Sequence, residues 1–214
     1  MIRVLVADDH QLVRDGLKQI LGSAEGVAVA GEAATGDEAL AQVRQHDYDL
    51  VLLDMSMPGL SGIDLIKRIR IEKPSQRILV LSMHGEQQYA ARALKAGASG
   101  YLTKDSATKE LIGAIRRIGA GGLYITETAA ASLLTQAQRS DAPPHSLLSD
   151  REFEILRLLA VGSSPTEIGE HLHLSVKTVS THKTRILDKL KLGSTAELVR
   201  YALEHGLLDA RPAD

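Results

Sequence analysis

Short apolar runs alternate with helical patterns through the first 120 residues of this chain, and this alternation restricts the possible folds more than any other feature. Strands are predicted near residues 2–7, 27–30, 50–53, 78–82 and 99–102, and helices near residues 11–21, 35–46, 61–71, 86–96 and 107–119. Strands that alternate with helices form a parallel sheet, because each helix returns the chain to the end at which the next strand begins. We therefore expect an α/β domain with five parallel strands and helices on both faces.

The pattern changes after residue 120 and indicates a second domain. A short helix rich in Ala and Leu is predicted near residues 127–137, and the polar run that follows ends in Pro143 and Pro144, which is typical of a linker. No strand pattern follows the prolines. We therefore predict one domain at 1–120, a linker with a short helix at 121–145, a second domain at 146–208 and a C-terminal tail at 209–214.

Helix-start signals dominate the second domain. In a capping box, a hydroxyl residue and a Glu three positions later each bond a backbone N–H group at the helix start. Three such pairs occur, Ser149 with Glu152, Ser164 with Glu167 and Ser194 with Glu197. Ser175 is predicted to cap a further helix from Val176 to Leu190. The preceding turn is only His173-Leu174-Ser175, and so short a turn is typical of a helix-turn-helix, here within an all-α domain of four helices.

Composition excludes several classes of protein. The 214 residues include no cysteine, so disulfides and thiolate chemistry are excluded, and no apolar run is long enough to span a bilayer. The first residues enter a predicted core strand without the pattern of a secretory signal. We therefore expect a cytoplasmic protein with no membrane partner. The net charge of −2 does not by itself indicate a nucleic-acid partner.

Carboxylates end two of the predicted strands. Asp8 and Asp9 follow the first strand, and Asp54 ends the third. Because the carboxyl ends of parallel strands meet at one edge of a sheet, these side chains are expected to gather there and repel one another. A divalent cation compensates such repulsion, and oxygen ligands of this kind suit Mg²⁺. Ser82 ends the fourth strand and Lys104 follows the fifth, and this set of groups indicates phosphoryl transfer to a protein aspartate.

The predicted helix at 176–190 carries an uneven distribution of charge. Between Ser175 and Lys191 there are five Lys or Arg residues and one Asp, whereas the region from Ser146 to Leu208 carries eight residues of each sign. On a helical wheel the core face consists of Val179, Ile186 and Leu190. Positive charge with small hydroxyl residues at the centre of the exposed face fits a surface that meets DNA better than a merely solvated face.

Five features of the first domain carry a family resemblance: Asp8-Asp9, Asp54, Met57-Pro58-Gly59, Ser82 and Tyr101-x-x-Lys104. Together they resemble the receiver domain of two-component response regulators, which implies a flavodoxin-like, doubly wound sheet. The resemblance implies that Asp54 accepts a phosphoryl group from a sensor histidine kinase. It implies that Lys104 and Ser82 bind the phosphoryl oxygens and that Tyr101 is the aromatic residue that reports the switch. The implied ligands of Mg²⁺ are Asp8, Asp9, Asp54 and the backbone carbonyl of Ser56.

The second domain carries a further resemblance through Leu148-Ser149-Asp150-Arg151-Glu152, Glu167-Ile168, the run from Leu174 to Val179, His182 and Lys189-Leu190. These residues resemble the LuxR-type helix-turn-helix, and both domains together are similar to response regulators of the NarL/FixJ type. The resemblance implies that the helix at 176–190 enters the major groove and that the last helix, near 195–205, pairs two domains. The residues expected to contact DNA are Lys177, Thr178, Ser180, Thr181, Lys183, Thr184, Arg185 and Lys189.

These features predict a transcription factor that phosphorylation activates, rather than an enzyme with a separate substrate. Phosphorylation of Asp54 would release the helix-turn-helix or let it form a homodimer on promoter DNA, with RNA polymerase as a further partner. Two alternatives are a regulator that binds only proteins and a Mg²⁺-dependent phosphohydrolase, although Ser56 stands where such an enzyme has a second aspartate. By resemblance, Ser56 and His84 border the path of the hydrolytic water. Neither offers a carboxylate or carboxamide, which predicts a phosphoryl lifetime of minutes or longer.

Overall fold

The computed structural model describes residues 1–57, 60–82, 87–125, 143–172 and 174–208. The chain divides into two compact units, Met1–Leu133 and Leu134–Asp214. In the described part of the chain, no helix is both long enough and apolar enough to cross a membrane. The helix predicted near 127–137 and the tail predicted at 209–214 lie outside the described residues.

The described residues of the first unit form five strands, and a helix follows each of them. In chain order the elements are β1 (Ile2–Ala7), α1 (Gln11–Gly22), β2 (Val27–Ala33), α2 (Gly36–Gln45), β3 (Leu50–Asp54), α3 (Gly62–Glu72), β4 (Ile78–Ser82), α4 (Gln87–Ala96), β5 (Gly100–Thr103) and α5 (Lys104–Gly119). The sheet order is β2-β1-β3-β4-β5, and every pairing is parallel. This is the flavodoxin-like order, so the predicted fold of the first domain is confirmed.

Both faces of the sheet are buried. On β3, Val51 and Leu53 belong to the core that α2, α3 and α4 cover, whereas Leu50 and Leu52 belong to the core under α1 and α5. All residues of β3 and β4 are buried. Strands buried on both faces consist of continuous apolar residues, which is why the sequence shows apolar runs here rather than a two-residue alternation.

Two element boundaries differ from the prediction by three residues, because hydrogen bonds extend the elements beyond the apolar pattern. The predicted β2 ends at residue 30, but the strand continues to Ala33, which pairs with Ala7 of β1. The predicted α5 begins at residue 107, but the helix begins at Lys104. The side chain of Thr103 accepts a hydrogen bond from the N–H of Ser106 and caps this start. The earlier start places Lys104 in the first turn of a helix rather than in a loop.

Among the described residues of the second unit, the first element is a 3-10 turn at Pro144–Leu147, and four helices follow it. These helices are α6 (Asp150–Ala160), α7 (Pro165–Leu172), α8 (Val176–Leu190) and α9 (Thr195–Glu204). The core of the unit contains the fully buried side chains of Phe153, Ile168, Val179, Ile186 and Leu198. The predicted four-helix unit is confirmed, and α8 has the predicted bounds.

Capping bonds form at all four predicted helix starts, but only two of the three predicted capping boxes are complete. Complete capping boxes form at Ser149 with Glu152 and at Ser164 with Glu167. The hydroxyl of Ser194 accepts a bond from the N–H of Glu197, but the Glu197 carboxylate accepts from the N–H of Gly193 at 2.7 Å. The prediction of a complete third box was therefore wrong, because this carboxylate binds the N–H one residue before the cap.

The turn between α7 and α8 needs a close approach of two backbone segments. The N–H of Leu174 donates to the carbonyl of Gly169 at 2.8 Å, and a Cβ atom at position 169 would lie 2.7 Å from the Leu174 carbonyl oxygen. Any side chain at position 169 would therefore displace the turn. His173, the first residue of the predicted turn, lies outside the described residues.

Both ends of the predicted linker at 121–145 contact folded structure. Tyr124 forms a parallel bridge with Gly100 of β5, and its carbonyl accepts a bond from the N–H of Tyr101 at 3.2 Å. His145 is buried in the second unit, where its Nδ1 lies 2.9 Å from the hydroxyl of Tyr201 in α9. The domain boundaries stay predictions, and these contacts favour a linker shorter than 121–145.

Candidate functional site

The predicted acids and lysine meet at the carboxyl edge of the sheet. Lys104 Nζ lies 2.7 Å from Asp8 Oδ2 and 3.1 Å from Asp54 Oδ1, so one ammonium group bridges the ends of β1 and β3. Asp8 is 1% exposed and Asp54 is 3% exposed. Ser82 is also buried, and it pairs in register with Thr103, the residue before Lys104. Four neighbouring strands thus bring together residues that are up to 96 positions apart, from Asp8 to Lys104.

Burial and mutual interaction shift the protonation of this cluster. Burial raises the pKa of Asp54 above its ordinary value, and the negative charge of Asp8 adds to the rise, whereas Lys104 opposes it. Burial alone would lower the pKa of Lys104, but its ion pairs with Asp8 and Asp54 outweigh burial, and the pKa is raised. Lys104 therefore stays protonated at neutral pH and offers a fixed positive charge beside Asp54.

Asp8, Asp9 and His10 form a group with the donor atoms for a cation. Their ligand atoms all lie within 4.8 Å of one another. Asp9 Oδ1 lies 2.8 Å from His10 Nδ1, and Asp8 Oδ2 pairs with Lys104. Apart from these ion pairs, neither of the two buried oxygens has a hydrogen-bond donor among the described residues. Closely spaced carboxylate oxygens of this kind fit a divalent cation, which compensates their mutual repulsion. His10 directly follows the two acids in the chain but was not among the predicted ligands.

The other residues predicted to belong to this site are close in sequence to Asp54, Ser82 or Lys104. Ser56 is exposed and lies two residues after Asp54, and Tyr101 is buried in β5. Of the motif that follows Asp54, Met57 is buried, whereas Pro58 and Gly59 lie outside the described residues, as does His84.

Arg14 is a buried charged residue that the sequence reasoning missed. It belongs to α1 and is 9% exposed, and its Nη1 donates to the backbone carbonyl of Asp8 at 2.7 Å. Nothing in the residues next to Arg14 in the sequence predicts that its side chain is buried. Only the distance between α1 and the end of β1 reveals the contact.

The exposed face of α8 carries the predicted polar residues. Val179, Ile186 and Leu190 are buried, which confirms the predicted core face. The exposed residues are Lys177, Ser180, Thr181, Thr184 and Arg185, and Thr178 and Lys183 are partly exposed. The helix therefore presents hydroxyl groups between basic side chains.

Three hydroxyl groups on this face donate their hydrogen bonds to the helix itself. The bonds run from Ser180 to the carbonyl of Val176 at 2.9 Å, from Thr181 to that of Lys177 at 2.9 Å and from Thr184 to that of Ser180 at 3.1 Å. Back-bonding of this kind directs the hydroxyl proton to the carbonyl four residues earlier. The oxygen lone pairs stay available, so the face presents hydrogen-bond acceptors to a ligand, together with the methyl groups of Thr181 and Thr184.

Lys189 differs from the other basic residues of α8. Its Nζ lies 2.6 Å from Glu152 Oε2 of α6 and also donates to the carbonyl of Leu147 at 3.3 Å. Burial would raise the pKa of Glu152, but the hydrogen bonds from Lys189 and Ser149 outweigh burial and lower it. The ammonium group of Lys189 thus compensates a buried carboxylate, and its contact with DNA phosphates stays a prediction.

The first unit is a doubly wound parallel sheet with acids and a lysine at its carboxyl edge, and the second unit contains a helix-turn-helix. This combination defines a response regulator that controls transcription. A model of the response regulator receiver domain matches residues 4–116. A model of bacterial regulatory proteins of the luxR family matches residues 146–202. The chain therefore belongs to the response regulators of the NarL/FixJ type, which are transcriptional regulators rather than conventional enzymes.

Similar proteins share this organisation over nearly their whole length. The chain is 38% identical to the response regulator UvrY of Escherichia coli K12 over 212 residues, which are 98% of this chain and 97% of UvrY. It is 40% identical to the oxygen regulatory protein NreC of Staphylococcus carnosus over 216 residues, with 97% and 100% covered. A solved structure of RcsB from Salmonella enterica serovar Typhimurium, bound to promoter rprA in the presence of the phosphomimetic BeF3−, matches with a TM-score of 0.66 and 29% identity. The match covers 94% of this chain and 98% of RcsB.

Proposed function

We propose that Asp54 accepts a phosphoryl group from a sensor histidine kinase and that this event drives the helix-turn-helix unit onto promoter DNA. The observation that carries the proposal is the position of the buried Asp54 carboxylate, 3.1 Å from the Lys104 ammonium group and in the same cluster as Asp8. In phosphoryl transfer the protein contributes mainly position and electrostatic stabilisation, because the reacting groups need little further chemistry. The cluster supplies both requirements.

Mg²⁺ is the cofactor that this donor set favours. Asp8, Asp9 and Asp54 would hold the ion together with the backbone carbonyl of Ser56. When bound, Mg²⁺ neutralises the charge that develops on the transferring phosphoryl oxygens. The oxygen-only ligand set and the two buried carboxylate oxygens without a further hydrogen-bond donor among the described residues support this choice.

Lys104 and Ser82 would bind the phosphoryl group once it is attached. A phosphoryl group adds roughly −1.5 to −2 charge at neutral pH, by analogy with other phosphorylated side chains. Lys104, which now pairs with both Asp8 and Asp54, would turn toward the new oxygens, and the hydroxyl of Ser82 would donate to one of them. Tyr101 of the neighbouring strand would follow this rearrangement and report it to the surface of the first unit.

The DNA ligand would occupy the exposed face of α8. One helix supplies few base contacts, so a homodimer on two half-sites about one helical turn apart is the expected complex. The structure of RcsB bound to promoter rprA in the presence of the phosphomimetic BeF3− supports both parts of the proposal. Such a protein would act on chromosomal DNA in the cytoplasm, with RNA polymerase as a further partner.

One experiment tests the proposal as a whole. Purified protein is treated with acetyl phosphate and Mg²⁺, and its binding to fragments of genomic DNA is followed by mobility shift. We expect one phosphoryl group per chain by intact mass and tighter binding of some fragments after phosphorylation. Phosphorylation without DNA binding under any condition would favour the regulator that binds only proteins.

The phosphoryl group should persist for minutes or longer. Ser56 is exposed beside Asp54 and offers no carboxylate or carboxamide to orient a hydrolytic water. Loss of label from purified phosphorylated protein measures the lifetime, and Ser56→Asn, which adds a carboxamide, should shorten it. Decay within seconds in the unaltered protein would contradict this proposal.

A further inference from the structure

Arg14 holds the backbone of the first acidic residue of the site. Its Nη1 donates to the carbonyl of Asp8 at 2.7 Å, and this contact is buried. The N–H of Asp8 donates to the carbonyl of Ala33 at 3.1 Å. Both backbone groups of Asp8 are therefore engaged, one by α1 and one by β2, and the direction of its carboxylate is restricted accordingly.

The guanidinium group of Arg14 is itself held by two neighbours. Its Nη2 donates to the side chain of Gln11, one turn earlier in α1. Its Nε lies 3.5 Å from Glu32 Oε2 of β2, and Lys18 pairs with the other oxygen of the same Glu32 at 2.9 Å. Arg14 is thus fixed between α1 and β2, and its planar donor group is aimed at the carbonyl of Asp8.

The guanidinium of Arg14 is a charged hydrogen-bond donor to the Asp8 carbonyl. Charge-assisted hydrogen bonds are stronger and more directional than neutral ones. A group that orients a metal ligand in this way tunes the metal site although it does not touch the metal.

We propose that Arg14 is a positioning residue of the phosphoryl-accepting site, which sets the affinity for the divalent cation by fixing Asp8. This inference rests on the proposed function, because it assumes that Asp8 binds Mg²⁺. The hydrogen bond to the Asp8 carbonyl is the contact that carries it, and the pair with Glu32 supports the geometry of that contact.

The test measures the dependence on Mg²⁺ separately from the maximal rate. In the full chain, Arg14→Met should raise the Mg²⁺ concentration for half-maximal phosphorylation by acetyl phosphate by about 10–100-fold, the usual cost of losing a group that orients a metal ligand. The rate at saturating Mg²⁺ should change far less, since Asp54 and Lys104 are retained. Calorimetric titration with Mg²⁺ alone should show the same loss of affinity without any phosphodonor.

Two further variants separate positioning from a merely structural role. Lys18→Met removes the other cation on Glu32 but leaves the bond to Asp8, so its Mg²⁺ dependence should equal that of the unaltered protein. Arg14→Lys keeps the charge but replaces the planar fork by a single ammonium group, and it should restore part of the affinity. If Arg14→Met does not fold, Arg14→Gln provides the same test with a neutral donor at this position.

The outcomes distinguish this inference from the proposed function. A folded Arg14→Met or Arg14→Gln variant with unaltered Mg²⁺ affinity, in a protein whose parent is phosphorylated in a Mg²⁺-dependent manner, overturns the role of Arg14. Failure of the parent protein to accept a phosphoryl group overturns the proposed function instead. A loss of Mg²⁺ affinity in Arg14→Met but not in Lys18→Met supports the inference.

Discussion

The two units differ in how their functional charges are exposed to water. In the first unit, Lys104 lies between Asp8 and Asp54, and both acids are almost fully buried. In the second unit, Lys177 and Arg185 of α8 are exposed. Charges interact strongly in a protein interior, whereas salt screens exposed charges beyond about 8 Å at physiological ionic strength. A single added charge can therefore rearrange the buried cluster, whereas the exposed face gains affinity through many small contacts.

The pair of Lys189 and Glu152 shows that burial rather than residue type produces this difference. Lys189 is exposed like the other basic residues of α8, but it forms an ion pair with Glu152, which is only 4% exposed. Within one helix, Lys189 thus stabilises the fold, and Lys177 stays available for a ligand.

The largest expected effect tests the buried cluster directly. Asp54→Ala should abolish phosphorylation by a small phosphodonor with Mg²⁺, because the variant lacks the accepting carboxylate. Asp64→Ala is a matched control, since Asp64 is an exposed acid in the first turn of α3 and should leave phosphorylation unaltered. Intact mass and peptide mapping measure the result. If Asp54→Ala accepts one phosphoryl group at the rate of the parent, the accepting residue is misassigned.

The second prediction separates phosphorylation from activation. Lys104→Ala should still accept a phosphoryl group but should not bind DNA more tightly afterwards, because the charge that responds to the phosphoryl group is absent. We expect little rescue by Lys104→Arg, whose planar group does not replace a point charge. Lys109→Ala, an exposed lysine of the same helix, is the control. Normal phosphorylation-dependent DNA binding by Lys104→Ala would refute the switch role.

The third prediction compares two lysines of α8, Lys189, which pairs with a buried carboxylate, and Lys183, which is partly exposed. Lys189→Met should lower the free energy of unfolding by on the order of 1–3 kcal/mol, because it leaves the Glu152 carboxylate without its ammonium partner. Lys183→Met should instead weaken binding to all DNA sequences and reduce the salt slope by about one unit. Thermal unfolding and DNA titrations across a salt series measure the two effects. A reduced salt slope with unaltered stability for Lys189→Met would show that Lys189 contacts phosphates rather than stabilising the fold.

The smallest effect concerns base preference. Thr181→Val removes the hydroxyl oxygen but keeps the shape, so it should lose discrimination of about 1–3 kcal/mol at particular base pairs. Because the Thr181 proton is directed to the carbonyl of Lys177, we expect the oxygen to prefer bases with an amino group in the major groove, adenine or cytosine. Thr181→Ser should keep this preference. Equal losses on a mapped operator and a scrambled one would show that Thr181 does not contact bases.

Local chemistry made much of the molecule predictable from the sequence. The strands, the acids at their ends and the caps at Ser149, Ser164 and Ser175 depend on residues within a few positions of one another, so their patterns are visible in the chain. The same is true of the buried face of α8, which follows from its helical period. Where the prediction was wrong, as at Ser194, two neighbouring N–H groups competed for one carboxylate, and the pattern does not decide between them.

The sequence by itself determined the two domain types, the order of the elements and the identity of the strand-end groups. The tertiary structure alone decided which charged groups are paired. Lys189 and Glu152 are 37 positions apart, and Arg14 reaches Asp8 only because α1 packs beside the end of β1. An ion pair or a buried hydrogen bond depends on distances in space and on the exclusion of water, and neither quantity is present in the local pattern of residues.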